Sequence, residues 1–238
     1  MTRIPCDLTI IIPVFNEGSR ISLTLNTLDS FSKNSPFACY IVNDGSTDES
    51  LDILTEFARS RAWLELLSSD SNKGKGAAIK KGMSRVETAF AFFMDADLPV
   101  PLHTLKRAVG CLEGSADMVI GSRAHPESKV RDRSFLRNGL SLAGNCLIRS
   151  MTGLPYGDTQ CGFKGFTRRC AHDLFQNLSV SGYLFDVELL LLARKMGYNV
   201  KQIPVNWSHV PDGSFRPLFD SLGILTELVR LSFLHRFL

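Results

Sequence analysis

With 238 residues, 44% of them hydrophobic and 21% charged, the chain has the composition of a soluble globular protein and the length to bury one sizeable core, which predicts a single domain over 1–238. A net charge of only +3 gives no basic field of the kind nucleic-acid binders carry, and no apolar run approaches the roughly 20 residues of a membrane span. Cys6, Cys39, Cys111, Cys146, Cys161 and Cys170 are scattered, with no CxxC pair and no zinc-ligand spacing, which points to reduced thiols in a cytoplasmic protein. "MTRIPCD" ahead of the first strand offers no signal peptide.

In chain order, "LTIIIPV" (8–14) reads as a continuous apolar strand and "RISLTLNTLDSF" (20–31) as a helix. "CYIVND" (39–44) is a second strand, and "STDESLDILTEFARS" (46–60) a helix capped by Ser46 or Thr47, with acids in its first turn. "LELLSS" (64–69) leads into a Gly-rich turn and the helix "GAAIKKGMSRVETA" (76–89); "AFAFFMDA" (89–96) and "DMVIGS" (117–122) are further strands. Continuous apolar strands alternating with helices predict an α/β fold, a mostly parallel sheet covered by helices on both faces. The second half opens with a polar, basic loop (123–133) and a helix over 134–151. The loop "TGLPYGDTQCGF" (152–163), a helix over 185–197 and a strand near 199–205 follow.

Ligands of such sheets bind at the carboxyl ends of strands, where Asn43-Asp44 and Asp95–Asp97 both fall. Alternation along an extended segment puts Asp95 and Asp97 on one side. An Asp-x-Asp also arises by chance at about one per chain of this composition, and a solvated strand end is its default reading. Two oxygen ligands on one side suit Mg²⁺ or Mn²⁺, which share their remaining positions with water and substrate phosphates; with no His or Cys beside them, zinc is not indicated. Asp44 lies in good turn chemistry, Asn-Asp-Gly-Ser, and a purely structural role fits it. In "KGKGAAIKKG" the GxG of Gly74 and Gly76 lacks the third glycine of a dinucleotide fingerprint. It reads either as a turn and helix start or as a place where Lys73, Lys75 and open backbone approach an anion. Lys129, Arg131, Arg133 and Arg137 adjoin Phe135, Leu136 and Leu140, a mixture that suits anionic lipid or a phosphate with an apolar tail. The last segment, 215–238, is apolar over a wide arc with Arg230, His235 and Arg236 near its end. Packing on the core, dimerisation and a membrane surface all fit it.

Placed in order, "IIPVFNEGSRI", "VNDGSTDES", "NKGKGAAIKKGM", "MDADLPV", "VIGSR", "DTQCGFKGF" and "FDVELL" resemble the successive motifs of family 2 glycosyltransferases with the GT-A (nucleotide-diphospho-sugar transferase) fold. More narrowly they resemble the dolichyl- and polyprenyl-phosphate hexosyltransferases, and "DTQCGFK" with "FDVELL" the β-glucosyl branch. The resemblance runs from residue 8 to about 214. It implies a nucleotide-sugar-binding half over 8–122 and an acceptor-binding half over 123–214, ahead of the segment 215–238, whose own pattern reads as a C-terminal amphipathic helix. It implies donor contacts from Pro13, Phe15, Glu17, Val42 and Asp44, to which the anion reading adds Lys73, with Asp95, Ala96 and Asp97 holding a Mg²⁺ or Mn²⁺ ion and the sugar diphosphate. Arg123, Arg137 and Ser141 match phosphate-binding positions of the acceptor side, and Gln160, Lys164, Asp186 and Glu188 match its acceptor motifs. The family's "GSK" near the C-terminal end stands here as "DGSF" (212–215) followed by Arg216.

The reaction so implied is inverting transfer of a hexose, glucose from UDP-glucose, to a polyprenyl or dolichyl phosphate. Its catalytic set is Asp95, Asp97, Arg123 and Arg137. A lipid phosphate is already an anion and needs no general base, only charge-assisted binding. Mannose from GDP-mannose is the alternative donor. A sugar-hydroxyl acceptor would require a base, which Asp158 or Asp186 supplies in principle, and a non-catalytic nucleotide-sugar or lipid-phosphate binder is the alternative of another class. Eukaryotic members of the glucosyl branch typically carry an N-terminal membrane anchor and mannosyl ones can carry C-terminal spans; neither is expected from these residues. The expectation is therefore a peripheral enzyme at the cytoplasmic face of a membrane, with room for a membrane partner protein.

Overall fold

The structure is a computed structural model and describes residues 7–131, 135–208, 227–229 and 231; for 135–138 and 140–143 it describes helical backbone alone. Arg216 and nearly all of 215–238 lie outside the described residues, of which Leu228 and Leu231 are buried against the core.

Runs such as Ile10-Ile11-Ile12 and Phe92-Phe93 send alternate side chains to opposite faces, so a strand apolar throughout needs cover on both. It has it. Seven strands form one sheet in the order β3 (Leu64–Ser69), β2 (Ala38–Asp44), β1 (Leu8–Val14), β4 (Phe90–Met94), β7 (Phe163–Thr167), β5 (Met118–Ser122), β8 (Val200–Pro204). All neighbours run parallel except β7, which is antiparallel to both β4 and β5. On one face, Ile10, Ile12, Phe92 and Val119 meet Ile21, Leu25 and Leu28 of α1 (Gly18–Ser32), Leu54 of α2 (Ser50–Ala58), and Leu105 and Val109 of α4 (Thr104–Glu113). On the other, Ile11, Phe93 and Phe166 meet Ile79 of α3 (Lys75–Met83), Ile148 of α5 (Phe135–Thr152), Leu174 of α6 (Arg168–Asn177) and the apolar side of α7 (Phe185–Lys195). A short parallel pair, β6 (Lys129–Arg131) with β9 (Asn206–Ser208), stands apart.

Several boundaries differ from those the sequence predicts. α2 begins at Ser50 rather than near Ser46, because the Asp48 carboxylate takes the Ser50 N–H at 3.0 Å and reaches across to the Gly18 N–H at 2.9 Å. Ser46 and Thr47 are held instead by Asn16, whose backbone N–H donates to Ser46 Oγ and whose side-chain oxygen accepts from Thr47 N. α3 ends at Met83, and β6 occupies part of what reads as an irregular basic loop. The largest difference is β7. "FKGFT" carries a lysine and a glycine at its centre, yet it is buried in the middle of the sheet. Gly165 pairs with Phe92 across the ladder, and the Phe92 ring lies over the space a side chain would fill, as an aromatic does when it covers a strand glycine.

Gly165→Ala forces a methyl into the Phe92 ring and is expected to cost about 1–3 kcal/mol. The check is a lower urea midpoint with an unchanged slope.

Candidate active site

The carboxyl ends of β1, β2 and β4 open into a cavity of about 370 Å³ whose walls include Pro13, Phe15, Glu17, Asp44, Lys75, Asp95, Ala96 and Asp97. β4 delivers the two aspartates on a turn closed by the Leu98 N–H to Asp95 carbonyl bond at 3.1 Å, with Leu98 in the left-handed region at φ 44°. That conformation is costly for a leucine. The turn is braced from α1, where Thr24 Oγ1 donates to the Ala96 carbonyl at 2.5 Å.

The two carboxylates are not equivalent. Asp95 accepts from Lys75 Nζ at 2.5 Å; burial disfavours its charge, but Lys75 and, behind it, Lys164 and Arg123 outweigh that and hold its pKa low. Lys75 answers in kind: burial works against the ammonium, and the charges of Asp95 and Asp186 raise its pKa regardless. Asp97 has no ion pair among the described residues. Burial and the neighbouring charge of Asp95 push it up to about 6, with Arg20 opposing. A half-buried carboxylate short of positive charge, next to one already paired, fits a hard divalent cation. Among the described residues no group of three or more His, Cys, Asp or Glu is placed to hold a metal. An ion on Asp97 and Asp95 would therefore complete its shell from water and phosphate oxygens, as Mg²⁺ and Mn²⁺ do.

Lys75 reaches Asp95 because the turn before it is fixed twice. The Asp44 carboxylate accepts from the N–H groups of Lys73 at 3.0 Å and Gly74 at 2.8 Å, and the Gly76 N–H donates to the Ser181 carbonyl at 2.8 Å. Gly74 has φ 97°, and a Cβ there would stand 2.5 Å from Ser181 O. The GxG is thus a close approach of two backbones. Lys73 is exposed and does not line the cavity. Glu17, at the start of α1, pairs with Arg20 one turn on, Nη2 to Oε1 being 2.7 Å; Val42 is buried in β2, two residues from Asp44.

On the other side of the sheet's carboxyl end, Arg123 follows β5. The buried Asp158 takes its Nε at 2.6 Å, its Nη2 at 2.8 Å and its backbone N–H at 2.9 Å. Burial opposes both charges; their pairing wins, holding Asp158 below the usual carboxylate range and Arg123 above its own. The Gln160 N–H also donates to Asp158, at 3.3 Å. Lys164, Asp186 and Glu188 are all buried: Lys164 pairs with Asp186, and Glu188 accepts from Ser179 N, Ser179 Oγ and Val180 N, anchoring the α6–α7 connection. The side chains of Arg137 and Ser141 lie outside the described residues. Cavity residues with polar side chains that the motifs did not single out include Arg20, Asn72 and Tyr183. Only Arg20 left a signal, its i,i+3 spacing from Glu17.

Residues 9–175 match the family model described as Glycosyl transferase family 2. A dolichyl-phosphate beta-glucosyltransferase of Trichomonas vaginalis is 32% identical over 241 residues, covering 96% of this chain and 74% of that one. Its namesake in Saccharomyces cerevisiae is 30% identical over 243 residues, covering 93% and 73%. Among solved structures, the glucosyl-3-phosphoglycerate synthase of Mycobacterium tuberculosis in complex with Mg²⁺ and uridine diphosphate superposes with a TM-score of 0.69 at 17% identity, over 96% of this chain and 78% of that one. The likeness identifies the fold as GT-A.

Asp158 lends itself to a direct test. Its folded pKa lies below the unfolded value of ~3.9, so its contribution is complete above that pH and is lost as pH falls through the folded value. Asp158→Asn is expected to cost on the order of 3 kcal/mol at neutral pH by leaving Arg123 without a counter-charge. It should also flatten the acid limb of a stability-versus-pH curve below about pH 4.

Proposed function

Since the chain belongs to glycosyl transferase family 2 and is a glycosyltransferase, we propose that it transfers glucose from UDP-glucose to a dolichyl or polyprenyl phosphate with inversion, giving a lipid-phosphate β-glucose. The observation that carries this reading is the unequal aspartate pair on the cavity wall: Asp95 neutralised by Lys75, and Asp97 left in need of a cation. The names of the relatives, dolichyl-phosphate beta-glucosyltransferases at 30–32% identity, supply the sugar and the acceptor class.

Pro13, Phe15, Glu17 and Asp44 form the wall assigned to base and ribose. Asp97, with Asp95 beside it, would hold a divalent cation, Mg²⁺ or Mn²⁺, which when bound would supply charge stabilisation to a diphosphate leaving group. Lys75, aimed into the cavity from the first turn of α3, adds a fixed positive charge on the same side, and it takes the anion-facing role that the sequence pattern shares between Lys73 and Lys75. The acceptor's phosphate oxygen is itself the nucleophile, so the protein's task there is orientation. Asp158 occupies Nε and Nη2 of Arg123, which fixes the plane of the guanidinium and leaves Nη1 for the lipid phosphate. Arg137 and Ser141 are proposed partners of the same group.

Among the described residues no helix is long and apolar enough to cross a membrane. We assign contact with the acceptor's membrane to β6, where Lys129 and Arg131 are exposed and suited to anionic headgroups. This gives a peripheral arrangement at the cytoplasmic face.

The test is label transfer from UDP-glucose, and separately from GDP-mannose, to polyprenyl phosphate with and without Mn²⁺. Metal-dependent transfer from UDP-glucose is expected, reduced by roughly 10²–10³-fold in Asp97→Asn. Transfer from GDP-mannose alone reassigns the sugar; transfer from neither overturns the acceptor.

A further inference from the structure

Neither the fold nor the cavity explains why the sheet keeps a lysine in its interior. Lys164 is mid-strand in β7 with no exposed surface. Its Nζ donates to Asp186 of α7 and to the Cys161 carbonyl, the latter at 2.8 Å. A buried pair of this kind is commonly replaceable by apolar residues with no loss of stability, so stability alone does not call for it.

The surroundings supply a reason. The carbonyl that Lys164 holds belongs to the residue before Gly162, and Gly162 is the backbone against which the Asp95 carboxylate rests: a Cβ at 162 would overlap the carboxylate atoms. Phe163 faces Met94 across the ladder and Lys164 faces Phe93, so the strand bearing the lysine is paired with the strand that delivers Asp95. Asp95 also accepts from Lys75 Nζ, at 2.5 Å. Lys75, Asp95, Lys164 and Asp186 thus form one cluster of oppositely charged groups, in which Lys164 acts on Asp95 and Asp186 on Lys75 as well, contributed by α3, the residue after β4, β7 and α7.

We propose that Lys164 and Asp186 are positioning residues of the donor site, holding Asp95 in place through the Cys161–Gly162 backbone and through their own charges. The pair acts on the cation and diphosphate by way of Asp95 and makes no contact with the acceptor, from which its burial separates it. The inference rests on the metal-dependent reading above and adds a chain of support running from α7 to the cavity.

The experiment uses the full chain carrying Lys164→Met together with Asp186→Leu, each single substitution, and Gly162→Ala. Each single change leaves one buried charge unpaired and should lower the melting temperature sharply, whereas the double change should restore it towards wild type. The deciding readout is Mn²⁺ affinity in the presence of UDP, followed by the electron paramagnetic resonance signal of free Mn²⁺. The folded double variant and Gly162→Ala should both bind Mn²⁺ 10–100-fold more weakly, the usual effect of disturbing a ligand's support, and a double variant within about threefold of wild type overturns the proposal. Where the double variant does not fold, Asp186→Asn, which keeps the shape of the side chain and removes its charge, decides in its place, and unchanged Mn²⁺ affinity there overturns the proposal; Gly162→Ala, which crowds Asp95 directly, is the positive control. Wild-type protein that binds no Mn²⁺ with UDP overturns the metal reading itself, a result distinct from normal binding in all variants.

Discussion

Ending a dry strand on two carboxylates is the constraint around which the ligand end of this molecule is arranged. β4 is buried from Ala91 to Met94, and at an effective dielectric of ~20 two unit charges about 4 Å apart repel by ~4 kcal/mol. The protein answers asymmetrically. Lys75 and Lys164 bring their charge to Asp95, while Asp97 is left with Arg20 at longer range. One carboxylate is made part of the frame and the other is kept short of positive charge. That incomplete compensation is the feature on which the proposed cation site rests.

Three other carboxylates do a different job. Asp44 holds the amides of Lys73 and Gly74, Glu188 those of Ser179 and Val180, and Asp158 that of Arg123. Each fixes a loop at the sheet's carboxyl end by accepting backbone N–H groups in charge-assisted hydrogen bonds. The first two loops then interlock through the Gly76–Ser181 hydrogen bond, so the cavity wall at Lys75 depends on a glutamate in α7.

Much of the first half was legible because its signals are local: continuous apolar strands, a turn after each, and Asp95–Asp97 at a carboxyl end. β7 was hidden because a lysine at the centre of a sheet contradicts the preference for apolar strand interiors. The counter-charge that makes it tolerable is Asp186, 22 residues on, and nothing in a linear pattern reports that pairing. The α2 cap was misplaced for a similar reason: Asp48 serves two helices at once, and its second partner, Gly18, is 30 residues away. At the site, residue types were readable and roles were not. Lys73 and Lys75 look alike in the sequence, and Asp44 bonding the intervening backbone decides which enters the cavity. Lys164, Asp186 and Glu188 belong to a motif the family resemblance ties to the acceptor, yet the fold closes all three into its interior.

The antiparallel β7 also shapes how the chain is made. β4, with Phe90, Phe92 and Phe93, finds its second neighbour only when Phe163–Thr167 has left the ribosome, roughly 70 residues later. At ~5–20 residues per second that is on the order of 4–14 s of synthesis. Through that interval the four strands β1 to β4, more than half of the seven-stranded sheet, end in an unpaired edge strand of the sort that templates aggregation. The late strand that steadies Asp95 is therefore also the one that closes the nascent sheet, which ties the timing of solubility to the same short segment as the chemistry.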